Sequence, residues 1–246
     1  MYVHPFGEEM NKSRRMVALQ ARAFAANGFG MLQIDLFGCG DSSGEFGNAS
    51  WNLWKQDLGV AKNWLENRVA APVSLWGLRL GALLALDFAR DLDTSIDQII
   101  LWQPVLKGKS FLTQFLRLRL AGEILSADAD IQEHVGTDEL RSLLQAGNTL
   151  EVAGYELSPE LATVIDKLDA AELRVTKSPI HWIEIVAELG RSISPAGSKV
   201  VNLWKQGGVD VHVYVVPCVS FWATQEISEC PALVSSTTGI FRGASA

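Results

Sequence analysis

Residues Pro72 to Ala85 read Pro-Val-Ser-Leu-Trp-Gly-Leu-Arg-Leu-Gly-Ala-Leu-Leu-Ala, and this stretch decides the fold. A short apolar run, Pro72–Trp76, has the length and composition of a buried strand. The turn Gly77-Leu78-Arg79-Leu80-Gly81 follows at once, and Leu80–Leu92 continues at helical spacing. Glycines at the first and fifth positions of such a turn permit a sharp reversal and a close helix–strand approach. The middle residue, Arg79, is thereby lifted to the carboxyl edge of the sheet.

The same rhythm extends to both sides. Upstream, Asn11–Asn27 carries Met16, Leu19, Ala23 and Phe24 at helical spacing and closes on Asn27-Gly28. Gly30–Leu36 reads as the next buried strand. A loop rich in glycine, serine and aspartate (Phe37–Ser50) leads into a helix over Trp51–Val69, with Trp54, Leu58, Ala61 and Leu65 on its inner stripe. Downstream, Gln98–Trp102 is a strand. Residues 107–175 then leave the rhythm, being mostly helical with one strand-like piece at Leu150–Leu157. A strand at Ile180–Ala187, a helix at Ser194–Gln206 and a strand at Val211–Val216 resume it. Alternating strands and helices build a mostly parallel sheet flanked by helices. The expectation is one domain over residues 1–246, with a helical cap inserted at about 107–175.

Composition narrows the function. The chain has 246 residues, and its 28 acidic against 21 basic side chains leave a net charge of −7. That balance supplies no basic stripe for a phosphate backbone, which excludes nucleic acid as a partner. No apolar run is long enough to span a membrane. Met1-Tyr2-Val3-His4-Pro5 lacks the charged and apolar regions of a secretory signal. Cys39, Cys218 and Cys230 are odd in number and lack zinc-site spacing. The expectation is a reduced, cytoplasmic protein with no metal and no cofactor.

Three pieces in order specify the fold further. Gly77–Gly81 has the spacing of the G-x-S-x-G nucleophile elbow of α/β-hydrolases. Asp35-Leu36-Phe37-Gly38-Cys39-Gly40-Asp41-Ser42-Ser43-Gly44 looks like the D-x-x-G-x-G-x-S-x-G run of that fold. His4-Pro5-Phe6 falls where such enzymes carry an oxyanion-hole turn. The expected architecture is therefore an α/β-hydrolase fold.

A more specific resemblance rests on His4-Pro5-Phe6-Gly7-Glu8-Glu9-Met10-Asn11-Lys12-Ser13-Arg14-Arg15-Met16, on Leu75–Ala82, on Gln114-Phe115-Leu116-Arg117-Leu118-Arg119 and on Phe221-Trp222. Together these resemble hydrolase 2 of the exosortase A system, from Met1 to about Val234. That family accompanies the PEP-CTERM sorting and exopolysaccharide machinery of Gram-negative bacteria. The resemblance implies acyl ester or thioester chemistry on a small-molecule acyl ligand, with that machinery as a partner.

The residues themselves depart from the usual mechanism. A guanidinium stays protonated and cannot attack a carbonyl, so Arg79 is no nucleophile. No histidine follows the last strand, where the chain reads Val219-Ser220-Phe221-Trp222, and His212 sits at that strand's start. After the preceding strand only Glu188 offers a carboxylate. Arg79 then bridges Asp35 or Asp41, or binds an anion together with the amides behind it at Leu80, or acts directly in catalysis. His4 is either a turn residue or a general base or oxyanion donor. Cys39 is either a buried turn residue or a nucleophile partnered by His4, its thiol made more acidic by a nearby guanidinium. Glu8, Glu9, Arg14 and Arg15 form a solvated network at the helix start, with Glu8 the one placed to face the site. Ser42 and Ser43 are turn and cap residues, and Trp51, Trp54 and Trp64 are packing.

The opening also carries an expectation about pairing. In this fold the oxyanion turn follows the third strand, yet His4 is the fourth residue. Gly30–Leu36 is therefore expected to pair on one side only, as though the strands before it were missing through a late start or a truncation.

Overall fold

The computed structural model describes residues 1–94, 96–126 and 136–243. In chain order it holds β1 (Tyr2–Val3), α1 (Glu8–Ala26), α2 (Trp51–Arg68), β2 (Leu75–Leu78), α3 (Leu80–Arg90), β3 (Ile99–Trp102), α4 (Gly108–Ser126), α5 (Thr137–Gln145), β4 (Leu150–Val152), β5 (Tyr155–Leu157), α6 (Pro159–Lys167), β6 (Ile180–Val186), α7 (Pro195–Gln206), β7 (Val211–Pro217) and α8 (Pro231–Gly243). The chain divides into two compact units: Met1–Ile34 with Gly59–Leu106 and Ala170–Ala246, and Asp35–Leu58 with Lys107–Asp169.

The first unit is an α/β layer structure. Its five strands run in the order β1-β2-β3-β6-β7, and every pairing is parallel. One face of the sheet is covered by α1 and α8 around an aromatic core. Tyr2 packs on Trp76 with ring centroids 4.5 Å apart, Trp76 on Trp102 at 4.4 Å, and Trp102 on Phe221 at 6.1 Å. Met16, Val17 and Phe24 of α1 and Leu233 and Ile240 of α8 close over them. A fully buried indole needs an acceptor for its N–H, and Thr237 Oγ1 of α8 supplies it to Trp102 Nε1 at 2.9 Å. On β6, Trp182 packs against Trp204 of α7 at 5.5 Å. α3 is buried from Leu80 to Ala89 and apolar there except for Asp87, which pairs with Arg90 at the helix end.

Gly30–Leu36 does not form a strand. Gln33 makes a single parallel bridge to Tyr2, with the Tyr2 amide donating to Leu32 O at 2.9 Å. Its neighbour β1 is only two residues long, so no longer ladder can form on that side. α8 goes beyond the sequence pattern, whose last regular element is the strand ending at Val216.

In the second unit, β4 and β5 form an antiparallel hairpin. Its turn residues Ala153 and Gly154 have φ of 51° and 82°, the positive values a two-residue hairpin turn needs. Arg141 of α5 ties the helices by donating to Asp166 Oδ1 of α6 at 2.8 Å, and to Lys109 O and Thr113 Oγ1 of α4. Ser158 caps α6 through its hydroxyl, with Pro159 opening the helix.

Candidate functional site

The site is built on the β2–α3 turn. Arg79 has φ 56° and ψ −118°, the strained conformation that lifts one side chain above a sheet edge. Two glycines make that turn possible. A Cβ on Gly77 would lie 2.5 Å from Ala82 Cα, and one on Gly81 would lie 2.3 Å from His4 O and 2.5 Å from Val3 O. Helix α3 thus presses directly on β2 and on the end of β1. The Arg79 amide donates to Trp102 O at 3.0 Å, and Arg79 O accepts from the Ala82 and Val105 amides.

The Arg79 side chain is only 15% exposed and its Nε donates to Glu9 Oε1 at 3.2 Å. Its guanidinium carbon lies 5.3 Å from the centroid of Trp222, close enough for a cation–π contact. Among the described residues its two terminal nitrogens make no hydrogen bond. The facing Glu9 is equally incomplete. Its Oε2 is buried with no hydrogen-bond partner among the described residues, as is the Tyr2 hydroxyl. Burial raises the Glu9 carboxyl above its ordinary value of 4.5, and Arg79 and then Lys12 pull it back only in part. Burial, and then the Glu9 charge, push the Tyr2 hydroxyl well above 10.

His4 is 7% exposed, and its Nδ1 donates to Pro5 O at 2.8 Å. A carbonyl only accepts, so Nδ1 carries the proton. Leu80 is 2% exposed and opens α3 directly behind Arg79. Glu8, expected to face the site, is exposed and accepts from Asn11; Glu9 takes its place. Asp35, expected as an Arg79 partner, accepts from the Asp41 amide at 2.9 Å, while Arg79 pairs with Glu9. Cys39 lies in the second unit. Burial, with Asp35 and Asp57 adding to it, pushes its thiol up to about 12. That is the opposite of the acidified thiol a nucleophile needs. Glu188 is exposed and pairs with Arg191. His212, at the start of β7, is held by Asp210 at 3.1 Å and stacks on His181. Both imidazoles therefore sit at the amino ends of the strands, opposite the elbow.

Glu9 and Trp222 are not singled out as site residues by sequence. A signal for Glu9 existed: Glu9, Ser13, Met16, Val17, Gln20 and Phe24 lie on one helical stripe, and all but Glu9 are fully buried.

A family model described as serine aminopeptidase, S33, matches residues 1–193. The chain belongs to this family. No curated protein matches the sequence. Among solved structures, Est1E from Butyrivibrio proteoclasticus with bound ferulic acid superposes at TM-score 0.68 and 13% identity, covering 99% of this chain and 87% of that one. A highly thermostable carboxyl esterase from Bacillus coagulans, in complex with glycerol, gives 0.64 and 16%, covering 99% and 88%. Mouse alpha/beta hydrolase domain-containing protein 10 gives 0.58 and 13%, covering 98% and 88%. At such identities the likeness shows the α/β-hydrolase fold. Within the S33 family this chain keeps the elbow but carries Arg79 at its apex, with no hydroxyl or thiol there. No helix of the described residues is long and apolar enough to cross a membrane.

Proposed function

We propose that this S33-family protein binds a small acyl ligand through its anionic group, a carboxylate or phosphate, at the elbow and without forming an acyl-serine. The carrying observation is the guanidinium of Arg79 at the apex of the elbow, with two terminal nitrogens left for a ligand. The amides that open α3 carry its positive dipole end, which favours the same charge. Glu9, once protonated, would add an O–H donor beside the guanidinium. Est1E with its bound ferulic acid is an example of a carboxylic acid ligand on the same fold.

The experiment is a thermal-shift titration with phosphate, sulfate and short-chain carboxylates. The melting temperature rises with these ions in the wild type. Arg79→Met, compared with its own ion-free value, loses that rise; an identical rise in the variant refutes the reading. A fluorophosphonate serine probe leaves the protein unlabelled, and stoichiometric labelling of any serine would equally refute it.

The family match favours a second reading, hydrolysis or transfer of an acyl ester or thioester. Under it His4, whose Nδ1 is protonated so that Nε2 is the basic nitrogen, is the group to test. Turnover of a thioester panel that survives in His4→Ala and in Cys39→Ala would exclude both residues. The resemblance at His4–Met16 supports a setting for either activity, in the cytoplasm beside exosortase-linked protein sorting or exopolysaccharide production.

A further inference from the structure

Cys218 directly follows β7 and Cys230 directly precedes α8, so the two cysteines bracket the loop that carries Phe221 and Trp222. Cys230 Sγ lies 3.9 Å from the carbonyl of Pro217, next to Cys218 in the chain, so the buried sulfur sits against the backbone that carries Cys218. Both backbones are anchored. The Cys218 amide donates to Val186 O of β6 at 2.8 Å, and the Cys230 amide donates to Met16 Sδ of α1 at 3.1 Å. Their exposures differ: Cys218 is half-buried and Cys230 is 3% exposed.

We propose that Cys218 and Cys230 are a dithiol modification site, oxidised to an intramolecular disulfide by a small-molecule disulfide such as oxidised glutathione. The half-buried Cys218 reacts first. Its sulfur attacks one sulfur of the oxidant, forming a mixed disulfide and releasing one glutathione thiol. Cys230 then attacks the Cys218 sulfur and releases the second. Two protein thiols are oxidised and one disulfide molecule is reduced to two thiols, so atoms, protons and electrons balance. Only the thiolate attacks, and burial followed by the Cys230 neighbour pushes the Cys218 thiol up to about 12, so the exchange is slow at neutral pH and faster at pH 9. The product staples the start of α8 to the end of β7 and closes the loop holding Trp222, the ring that packs on Arg79. This inference stands on the placement of Cys230 Sγ beside the Pro217–Cys218 backbone and does not depend on what the elbow binds.

The test is incubation of the folded full chain with oxidised glutathione at pH 7.5 and pH 9, followed by non-reducing peptide mapping. A Cys218–Cys230 link forms, faster at pH 9, and titratable thiols fall from the three of the sequence to one. Cys39→Ala leaves the link unchanged. Cys230→Ser stops at a glutathione adduct on Cys218, and Cys218→Ser leaves the buried Cys230 unmodified. Closing a short loop raises the melting temperature of the linked form by about 5–10 °C, a rise that reductant reverses. A link through Cys39, a stable Cys218 adduct in the wild type, or unmodified cysteines after prolonged exposure at pH 9 would overturn the proposal.

Discussion

Replacing Arg79 by Met removes a charge from a nearly closed site, and the structure sets both the size and the pH dependence of the effect. The strain at φ 56° remains, because Met is as unsuited to that conformation as Arg. The contact with Trp222 at 5.3 Å is lost, at a cost of about 1 kcal/mol. The pair with Glu9 at 3.2 Å is lost too. Truncating one partner of a fully buried pair costs roughly 3–5 kcal/mol. Here the side chains keep 15% and 21% exposure and Glu9 can take up a proton, so about 1–2 kcal/mol is the appropriate share. Glu9 is already raised by burial in the folded protein. Its contribution to stability is therefore full below its unfolded value and lost as pH rises through the folded one. Without Arg79, which pulls that folded value down, the loss extends to higher pH. Urea unfolding of wild type and variant should therefore differ by about 1 kcal/mol at pH 5 and by about 2–3 kcal/mol at pH 8, with unchanged slope. An equal difference at both pH values, or a larger one at pH 5, would show that Glu9 and Arg79 are not coupled. Glu9→Gln combined with Arg79→Met should abolish the pH dependence.

Two further outcomes follow from the geometry. Gly81→Ala drives a methyl group into the His4 and Val3 carbonyls and should cost about 3 kcal/mol or more, whereas Gly239→Ala on α8 meets nothing within 4 Å and should gain up to about 1 kcal/mol; similar melting temperatures for the two variants would contradict the close approach at the elbow. His181 is lowered from 6.5 by burial and then by the His212 charge, against Asp210, so the folded state resists its protonation. Stability is complete above that value and falls as pH drops below it, and His181→Gln should flatten this acid slope in melting curves between about pH 6.5 and 5.

The elbow was legible because its demands fall on the backbone. Gly77 and Gly81 answer contacts that no side chain can meet, and those contacts are the same wherever a helix springs so sharply from a strand. Glu9 is legible only once the stripe of Ser13, Met16, Val17, Gln20 and Phe24 is carried back beyond Asn11, where the apolar spacing alone starts the helix. Gly7, at φ 54°, starts it at Glu8 instead, and that earlier start puts Glu9 on the inward stripe. Gly30–Leu36 has the composition of a strand, but strands are made by partners, and β1 offers it only Tyr2. α8 contains Ser235, Ser236, Thr237, Thr238 and Gly239, all modest or poor helix formers. It forms because Leu233, Thr237 and Ile240 are buried and Trp102 needs the Thr237 hydroxyl. None of these tertiary requirements is written in local sequence.

The residue at the apex follows a different logic from the turn beneath it. Since Gly77 and Gly81 set the backbone, position 79 presents whatever side chain the sequence supplies. A turn kept only for packing would be served at less cost by a small apolar residue, because charges withdrawn from water are often no better for stability than apolar groups of the same size. This chain instead withdraws a guanidinium, then a carboxylate to face it, and leaves Glu9 Oε2 and the terminal nitrogens of Arg79 without hydrogen-bond partners among the described residues. Burial leaves the carboxyl raised even with the guanidinium beside it. Stability alone does not account for such an arrangement. A ligand whose anionic group takes both the guanidinium N–H groups and the Glu9 proton does, and its affinity should then fall as pH rises through the Glu9 titration.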